Sequence, residues 1–197
     1  MQHIDFLNYI QRELQINGAE VEEMRQFVPY KLKFLAKNDL FLSVGKVCTS
    51  VAFIESGAVL YFRENDDADK LVCDVLFEGS WVTYIQSLVT KMPSDMNIQA
   101  LEDTRIIEIE QDVLNTFFEK FPKAERLSRK LTEASFIQIA QRAADLQFLT
   151  AEERYTKVLK EEPRLIERVP QYYLASLLGI APQSLSRIRK ELSKQSS

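Results

Sequence analysis

The sequence has few of the residue types on which most catalytic and metal sites depend. Its 197 residues include one histidine, His3, and two cysteines. The body of the chain therefore offers no histidine for a Ser-His-Asp triad, a general base or a zinc site. Two cysteines cannot supply the four thiolates of an iron–sulfur cluster, and no phosphate-binding or dinucleotide-binding glycine pattern occurs. We expect no enzyme, no metal and no cofactor.

Long apolar runs are also missing. No window of about 18 apolar residues occurs, and the first five residues lack the basic-then-apolar order of a signal peptide. We expect a cytoplasmic protein with no membrane partner. Cys48 and Cys73 lie in apolar, strand-like segments without the close spacing of a metal knuckle or redox pair, so we expect two buried free thiols.

The charge changes sign along the chain. Residues 1–150 contain 16 Lys and Arg against 23 Asp and Glu, a net charge of −7, and residues 151–197 contain nine against six, a net charge of +3. These values sum to the −4 of the whole chain. A chain with an acidic body and a mildly basic end is not expected to contact a polyanion along its whole surface. We expect any binding to a polyanion to be confined to the last segment.

Residues 169–190 form the most informative stretch of the chain. Leu174, Ala175 and Leu178 fall on one face at helical spacing, Gly179 follows where a left-handed turn residue is needed, and Pro182 opens a second helix. Leu185, Ile188 and Leu192 then repeat at the spacing of a buried face. Small Ala175 and the glycine corner satisfy the requirements of a helix-turn-helix.

The second helix carries a polar and basic stripe opposite its apolar face. Gln183 and Arg187 stand at its start, where side chains of a helix in the major groove reach base edges, so we predict that they read bases. Ser184 and Ser186 are weaker candidates. Arg189, Lys190 and Lys194 are expected to bind backbone phosphates. The alternative interpretation is that a Lys- and Arg-rich terminal helix is a solvated face.

The remainder of the chain has a helix–strand–helix order. Residues 3–14 and 19–28 predict two short helices that pack outside the next domain, and short apolar runs from about residue 32 to 109 predict a β-barrel or β-roll. Ser56-Gly57 and Glu78-Gly79 indicate turns. Residues 65–69 form an acidic loop, which is interpreted as a hairpin tip and alternatively as a calcium loop, although the glycine and distal glutamate of an EF-hand are lacking.

A long helix follows the strands. Residues 123–147 contain no Gly or Pro, and their apolar positions cover too wide an arc for one narrow stripe. We therefore expect the helix to pack both on its own roll and on a partner helix, against the alternative of a buried helix in a monomer. Thr150 and Glu153 form a capping box that opens the next helix. The expected domains are residues 1–122 (roll with N-terminal helices), 123–149 (dimerisation helix) and 150–197 (DNA-binding domain).

The whole chain resembles the CRP/FNR family of bacterial transcription regulators, most closely those of Bacteroidetes-type bacteria. The residues that carry the resemblance are 53–59, 98–104 and 169–190. It implies an α+β fold with an N-terminal double-stranded β-roll of the cyclic-nucleotide-binding type, a long dimerisation helix and a C-terminal winged helix-turn-helix. It also implies that Gln183 and Arg187 contact bases. Ala181 departs from the Ser or Thr cap common in relatives, which costs roughly 1 kcal/mol.

The residues that bind the cyclic nucleotide in the resembled family, here called the ligand cassette, are different in this chain. In nucleotide-binding relatives a Gly-Glu pair holds the ribose, and an Arg followed by Ser or Thr holds the cyclic phosphate. This chain has Thr83-Tyr84 and Ser94-Asp95 at those places. Because a carboxylate repels phosphate, we expect no binding of cyclic AMP. Trp81 and Tyr84 are candidate linings of a pocket for another ligand, or else part of the core of the roll.

These observations predict a homodimeric, sequence-specific regulator that binds double-stranded DNA at an inverted repeat, with RNA polymerase and an unidentified small-molecule effector as further candidate partners. Two rival interpretations remain open at this point. One is a cupin-like enzyme or small-molecule-binding β-barrel with a helical appendage. The other is an adaptor whose helix-turn-helix docks another protein.

Overall fold

The computed structural model describes residues 3–195, with the backbone alone at Gln195. Within them the chain divides into two compact units. One unit comprises residues 3–61 and 75–133, and the other comprises residues 62–74 and 134–195.

The first unit begins with two short helices. Helix α1 (Phe6–Leu14) starts at Asp5, whose side chain accepts a hydrogen bond from the Asn8 N–H at 2.9 Å. Helix α2 (Gly18–Phe27) starts at a capping box formed by Asn17 and Glu20. The side chains of Phe6 and Tyr9 pack on Phe53 of the sheet that follows. The predicted packing of these helices outside the roll is therefore confirmed.

Eight strands and one short helix follow: β1 (Lys31–Leu35), β2 (Leu40–Leu42), β3 (Ser50–Ser56), β4 (Ala58–Glu64), β5 (Lys70–Phe77), β6 (Trp81–Val82), α3 (Ile85–Thr90), β7 (Asn97–Ala100) and β8 (Thr104–Glu110). They form two four-stranded sheets with the orders β1-β8-β3-β6 and β2-β7-β4-β5. Strand β8 pairs antiparallel with both β1 and β3. The predicted β-roll is confirmed.

The turn between β3 and β4 depends on Gly57. Its φ is +95°, and a Cβ atom there would lie 2.5 Å from Thr104 Oγ1 and 2.6 Å from the Asp103 carbonyl oxygen. Thr104 is fully buried, and its hydroxyl bonds both the N–H and the C=O of Ala58. The hairpin predicted from Ser56-Gly57 is therefore present, and only glycine fits its corner.

One sequence prediction about the thiols is wrong in part. Neither cysteine is in a disulfide and Cys48 is buried, but Cys73 is exposed. Along β5 the neighbouring Val72 points inward, so alternation places Cys73 on the outer face of the strand. The acidic loop joins β4 to β5, and Asn65 Oδ1 accepts the N–H groups of Asp67 and Asp69. It is thus a hairpin tip, as predicted.

Helices make up the rest of the described chain: α4 (Gln111–Lys120), α5 (Pro122–Phe148), α6 (Ala151–Glu161), α7 (Pro163–Arg168), α8 (Gln171–Leu177) and α9 (Pro182–Gln195). The resemblance implied a winged helix-turn-helix. The described residues after Glu110 contain no strand, so the helix-turn-helix formed by α8 and α9 has no β-hairpin wing there. The segment between α7 and α8 is too short to hold a hairpin.

None of the helices within residues 3–195 combines the length and the apolar composition that crossing a bilayer requires.

Candidate nucleic-acid interface

The corner between α8 and α9 is a Schellman motif. Gly179 has φ +67°, its N–H donates to the Ser176 carbonyl at 2.9 Å, and the Ile180 N–H donates to the Ala175 carbonyl at 3.0 Å. These two bonds satisfy carbonyls that the end of α8 would otherwise leave without partners. Ala175 is completely buried. The chain therefore reverses tightly here, as its sequence predicted.

The apolar face of α9 packs this helix against the rest of its unit. Leu185 is fully buried, Ile188 is 8% exposed and Leu192 is half-buried. Leu165 of α7 and Leu174 of α8 are buried in the same unit, each 1% exposed. Burial of side chains of this size contributes about 1.5–3 kcal/mol each, so the orientation of α9 about its own axis is well determined.

The opposite face of α9 is open to solvent. Gln183, Ser186, Arg187 and Lys190 are exposed, and Ser184 and Arg189 are half-buried. At about 100° per residue, Gln183, Arg187 and Lys190 fall within an arc of about 60°. Ser186 and Arg189 flank this arc on one side and Ser184 on the other. The structure therefore brings the two predicted base readers and one predicted phosphate contact together.

The charge of this face is positive. Residues 182–194 contain Arg187, Arg189, Lys190 and Lys194 against the single acid Glu191. Glu191, which the sequence analysis did not consider, lies about 80° around the helix from Gln183. It bounds the positive stripe on the side of Ser184. A cationic stripe on a helix is the arrangement that attracts a nucleic-acid backbone.

Two tyrosines precede the corner. The rings of Tyr172 and Tyr173 lie 4.1 Å apart between centroids. Tyr172 is 56% exposed, whereas Tyr173 is buried, and this burial raises the pKa of Tyr173 above its usual value. Tyr173 is therefore part of the core, and Tyr172 lies at the surface of α8.

Arg154 of α6 is a residue that the sequence analysis missed. Its Nε donates to the Leu178 carbonyl at 2.9 Å, and its Nη1 donates to the Leu149 carbonyl at 2.5 Å. The predicted capping box is confirmed, since the Glu153 N–H donates to Thr150 Oγ1 at 3.3 Å and the Glu153 carboxylate accepts the Thr150 N–H at 2.8 Å. Nothing in the sequence distinguishes Arg154 from an ordinary surface arginine.

The C-terminal half of α5 exposes an apolar seam, which we define as Phe136, Ile139, Ala143 and Leu146. Their spacing of three, four and three residues is that of alternating a and d positions in a heptad. Phe136 is 71%, Ile139 63% and Leu146 47% exposed, and Ala143 is also exposed. Ala124 is the one buried residue of α5 within the described chain, and it lies in a cluster with Leu14, Val21 and Met24 of the N-terminal helices. The start of α5 therefore packs on α1 and α2, where the sequence predicted packing on the roll.

The altered cassette of the roll is occupied by its own polar groups. The Tyr84 hydroxyl donates to Asp95 Oδ1 at 2.5 Å. Ser94 is 2% exposed, and its hydroxyl bonds the carbonyl and N–H of Met96. Trp81 packs against Phe6 and the α1 cluster, whereas Tyr84 packs on the interior cluster of the roll. The structure therefore does not bring Trp81 and Tyr84 together as the lining of one pocket.

Among the residues that the structure describes, no three His, Cys, Asp or Glu side chains come together in a way that would hold a metal ion.

Comparison with known proteins agrees with this geometry. Residues 32–121 match the family model of the cyclic nucleotide-binding domain. No curated protein sequence matches the chain. Among solved structures, FixK2 from Bradyrhizobium japonicum shares 17% identity at a TM-score of 0.72, with 86% of this chain and 87% of that chain covered. A CooA variant from Carboxydothermus hydrogenoformans shares 16% at 0.71, with 98% and 87% covered.

A third solved structure carries the family name. A protein of Eubacterium rectale, described as a transcriptional regulator of the crp/fnr family, shares 15% identity at a TM-score of 0.69, with 95% of this chain and 88% of that chain covered. At these identities the likeness concerns the fold. Residues 32–121 are thus a cyclic nucleotide-binding-type domain. The described residues share the fold of these structures, which confirms the β-roll, long helix and helix-turn-helix that the resemblance implied.

Proposed function

We propose that the chain is a homodimeric, sequence-specific DNA-binding regulator of transcription. The observation that carries the proposal is the face of α9 on which Gln183, Arg187 and Lys190 are exposed together, opposite the buried Leu185 and Ile188. A helix presented in this way from a helix-turn-helix fits a major groove about 12 Å wide.

Each polar residue of the face has a proposed role. Gln183 and Arg187 read base edges, since glutamine bonds an adenine edge at two points and arginine bonds a guanine edge at two points. Lys190 and Arg189 bind phosphate oxygens, which fixes register without reading sequence. Ser184 and Ser186 flank the reading arc and supply weaker contacts.

The apolar seam of α5 supports the dimer. Aromatic and aliphatic side chains that are exposed at heptad spacing over three turns are stabilised when a second helix covers them. A two-fold dimer places two copies of α9 about 34 Å apart, so the DNA site is an inverted repeat with half-sites one helical turn apart.

The domain roles follow from this arrangement. Residues 1–122 form a regulatory roll, residues 123–149 pair the protomers and residues 150–197 read DNA. The roll does not bind cyclic AMP, because the buried, internally bonded Ser94 stands in the place of the phosphate-binding arginine and the Asp95 carboxylate in the place of the hydroxyl residue that follows it. A different small-molecule effector, and RNA polymerase, are the remaining proposed partners.

The test is a pair of substitutions on the same face of α9. Arg187→Ala is expected to relax preference at one base pair per half-site, by roughly 1–3 kcal/mol of lost discrimination. Lys190→Ala is expected to weaken binding to all sequences alike and to flatten the salt dependence. Lys160→Ala, which removes a charge from an exposed position of α6, serves as the control. It is expected to change neither the base preference nor the salt dependence appreciably.

Fluorescence anisotropy titrations on labelled operator variants, at several salt concentrations, measure both effects. Equal loss of affinity for every base at every position in Arg187→Ala would remove the base-reading role. Binding without salt dependence would favour the adaptor or the cupin-like interpretation, because counterion release accompanies binding to nucleic acid.

A further inference from the structure

One arginine side chain bridges the junction between α5 and the helix-turn-helix. Arg154 lies in the first turns of α6, directly after the Thr150 capping box. Its guanidinium donates to the carbonyl of Leu149, the residue after α5, and to the carbonyl of Leu178, the last residue before the glycine corner of α8.

Both acceptors are of the kind that helices leave without partners. The last carbonyls of a helix have no intrahelical donor and lie at the negative end of the helix dipole. A guanidinium is a rigid planar fork whose donors point in different directions, so it can bind two such carbonyls at once. The compact ammonium of lysine is a single point charge and does not reproduce this fork.

Two further contacts fix the same junction. Lys157 Nζ lies 2.5 Å from Asp145 Oδ2, across the break between α5 and α6. The hydrogen bond from Lys157 lowers the pKa of Asp145. Leu146 covers the corner, since a Cβ atom added to Gly179 would lie 3.0 Å from Leu146 Cδ2. The last turn of α5, the start of α6 and the corner before α9 therefore share one set of contacts.

Small rotations at this junction change the position of α9 by a distance that matters for DNA. Helix α9 has 14 residues and is therefore about 21 Å long. A tilt of about 10° over that length displaces its far end by about 3.5 Å, close to the rise of about 3.4 Å per base pair. The angle between α5 and α9 thus determines which half-site spacing a dimer paired through α5 can span.

We propose that Arg154 is a positioning residue that sets the preferred spacing between DNA half-sites. The inference rests on the proposed function, since it requires a DNA-binding dimer. Arg154 itself does not contact the DNA. It acts by holding the helix that does.

The experiment uses the full chain and duplexes with identical half-sites whose central spacing differs in steps of one base pair. The half-sites come from selection of bound fragments by the wild-type protein. We expect the wild type to prefer one spacing. Arg154→Gln is expected to reduce that preference by about tenfold, the factor that corresponds to one lost charge-assisted hydrogen bond. Arg154→Lys is expected to behave like Arg154→Gln, whereas Lys160→Gln on the same helix keeps the wild-type preference.

Two results overturn the inference while leaving the proposed function intact. In the first, Arg154→Gln lowers the melting temperature but retains the wild-type ratio of affinities between spacings, which marks a merely structural role. In the second, Arg154→Lys restores the ratio, which shows that charge alone suffices. Failure of the wild type to bind any inverted repeat overturns the proposed function and the inference together.

Discussion

The apolar seam of α5 leads to a prediction in which a substitution weakens association of the protomers but leaves the stability of each protomer nearly unchanged. Ile139 is 63% exposed in the protomer, so Ile139→Glu is expected to change the free energy of unfolding of an isolated protomer by no more than about 0.5 kcal/mol. In the proposed dimer a second copy of α5 covers the same side chain. The substitution therefore affects association while the fold of each chain is retained.

The expected magnitude follows from the exposed fraction. Full burial of an isoleucine contributes about 1.5–3 kcal/mol, so covering the exposed 63% of Ile139 contributes about 1–2 kcal/mol. Two-fold symmetry doubles the loss to about 2–4 kcal/mol, which raises the dimer dissociation constant by about 30- to 1000-fold. Two carboxylates placed in a symmetric seam add to this effect through their mutual repulsion.

Sedimentation equilibrium over a concentration series measures the dissociation constant directly. Gln138→Glu is the matched control, because it adds the same charge to an exposed neighbour about 100° around the helix. The control is expected to remain dimeric. A variant Ile139→Glu that associates as tightly as the wild type would refute the seam as the contact between protomers, and so would a monomeric wild type.

Three further predictions concern stability and ligand binding. Gly57→Ala is expected to destabilise the roll by about 3–5 kcal/mol, from left-handed strain and displacement of buried Thr104. Gly45→Ala, with φ +82° but open space around it, is expected to cost only about 1–2 kcal/mol. Urea unfolding measures both, and equal losses would contradict the steric argument. Calorimetry with cyclic AMP is expected to show no binding, and micromolar affinity would remove that conclusion. The pKa of Asp145 is held low by Lys157, so this pair stabilises the fold above the usual carboxyl pKa and loses its effect as the pH falls below it. Carboxyl NMR titration of Lys157→Gln is expected to show a higher pKa for Asp145, and an unchanged value would show that Lys157 is not the cause.

Much of the fold could be predicted because several local signals agree. At the corner, Ala175, Gly179 and Pro182 each satisfy a different requirement of a helix-turn-helix, and the structure shows the expected backbone bonds. In the roll, Ser56-Gly57 joins two strands whose apolar runs are long enough to be recognised. Agreement between independent constraints makes such predictions dependable.

Other features had no local signal. Strand β6 has only two residues and β7 has four, so neither shows a clear alternation, and both depend on partners distant in sequence. The exposure of Cys73 depends on which face of β5 turns outward. A shift of one residue exchanges the two faces.

Some residues of the candidate site could likewise be predicted from the sequence, and others could not. The arc formed by Gln183, Arg187 and Lys190 follows from helical periodicity alone. The role of Arg154 does not, because its two acceptors are backbone carbonyls five and 24 residues away in sequence. A wing was expected by analogy, and the described residues after Glu110 have no strand to form one.

The most direct test of the central claim is the salt dependence of binding to a selected inverted-repeat duplex, compared for the wild type and Lys190→Ala. Because the cationic face of α9 is exposed, the wild type is expected to bind tightly, and the logarithm of its association constant is expected to fall linearly with the logarithm of the salt concentration. In Lys190→Ala the magnitude of this slope is expected to be smaller by about one. Wild-type binding that does not depend on salt, or that does not distinguish the selected site from random DNA, would contradict the account.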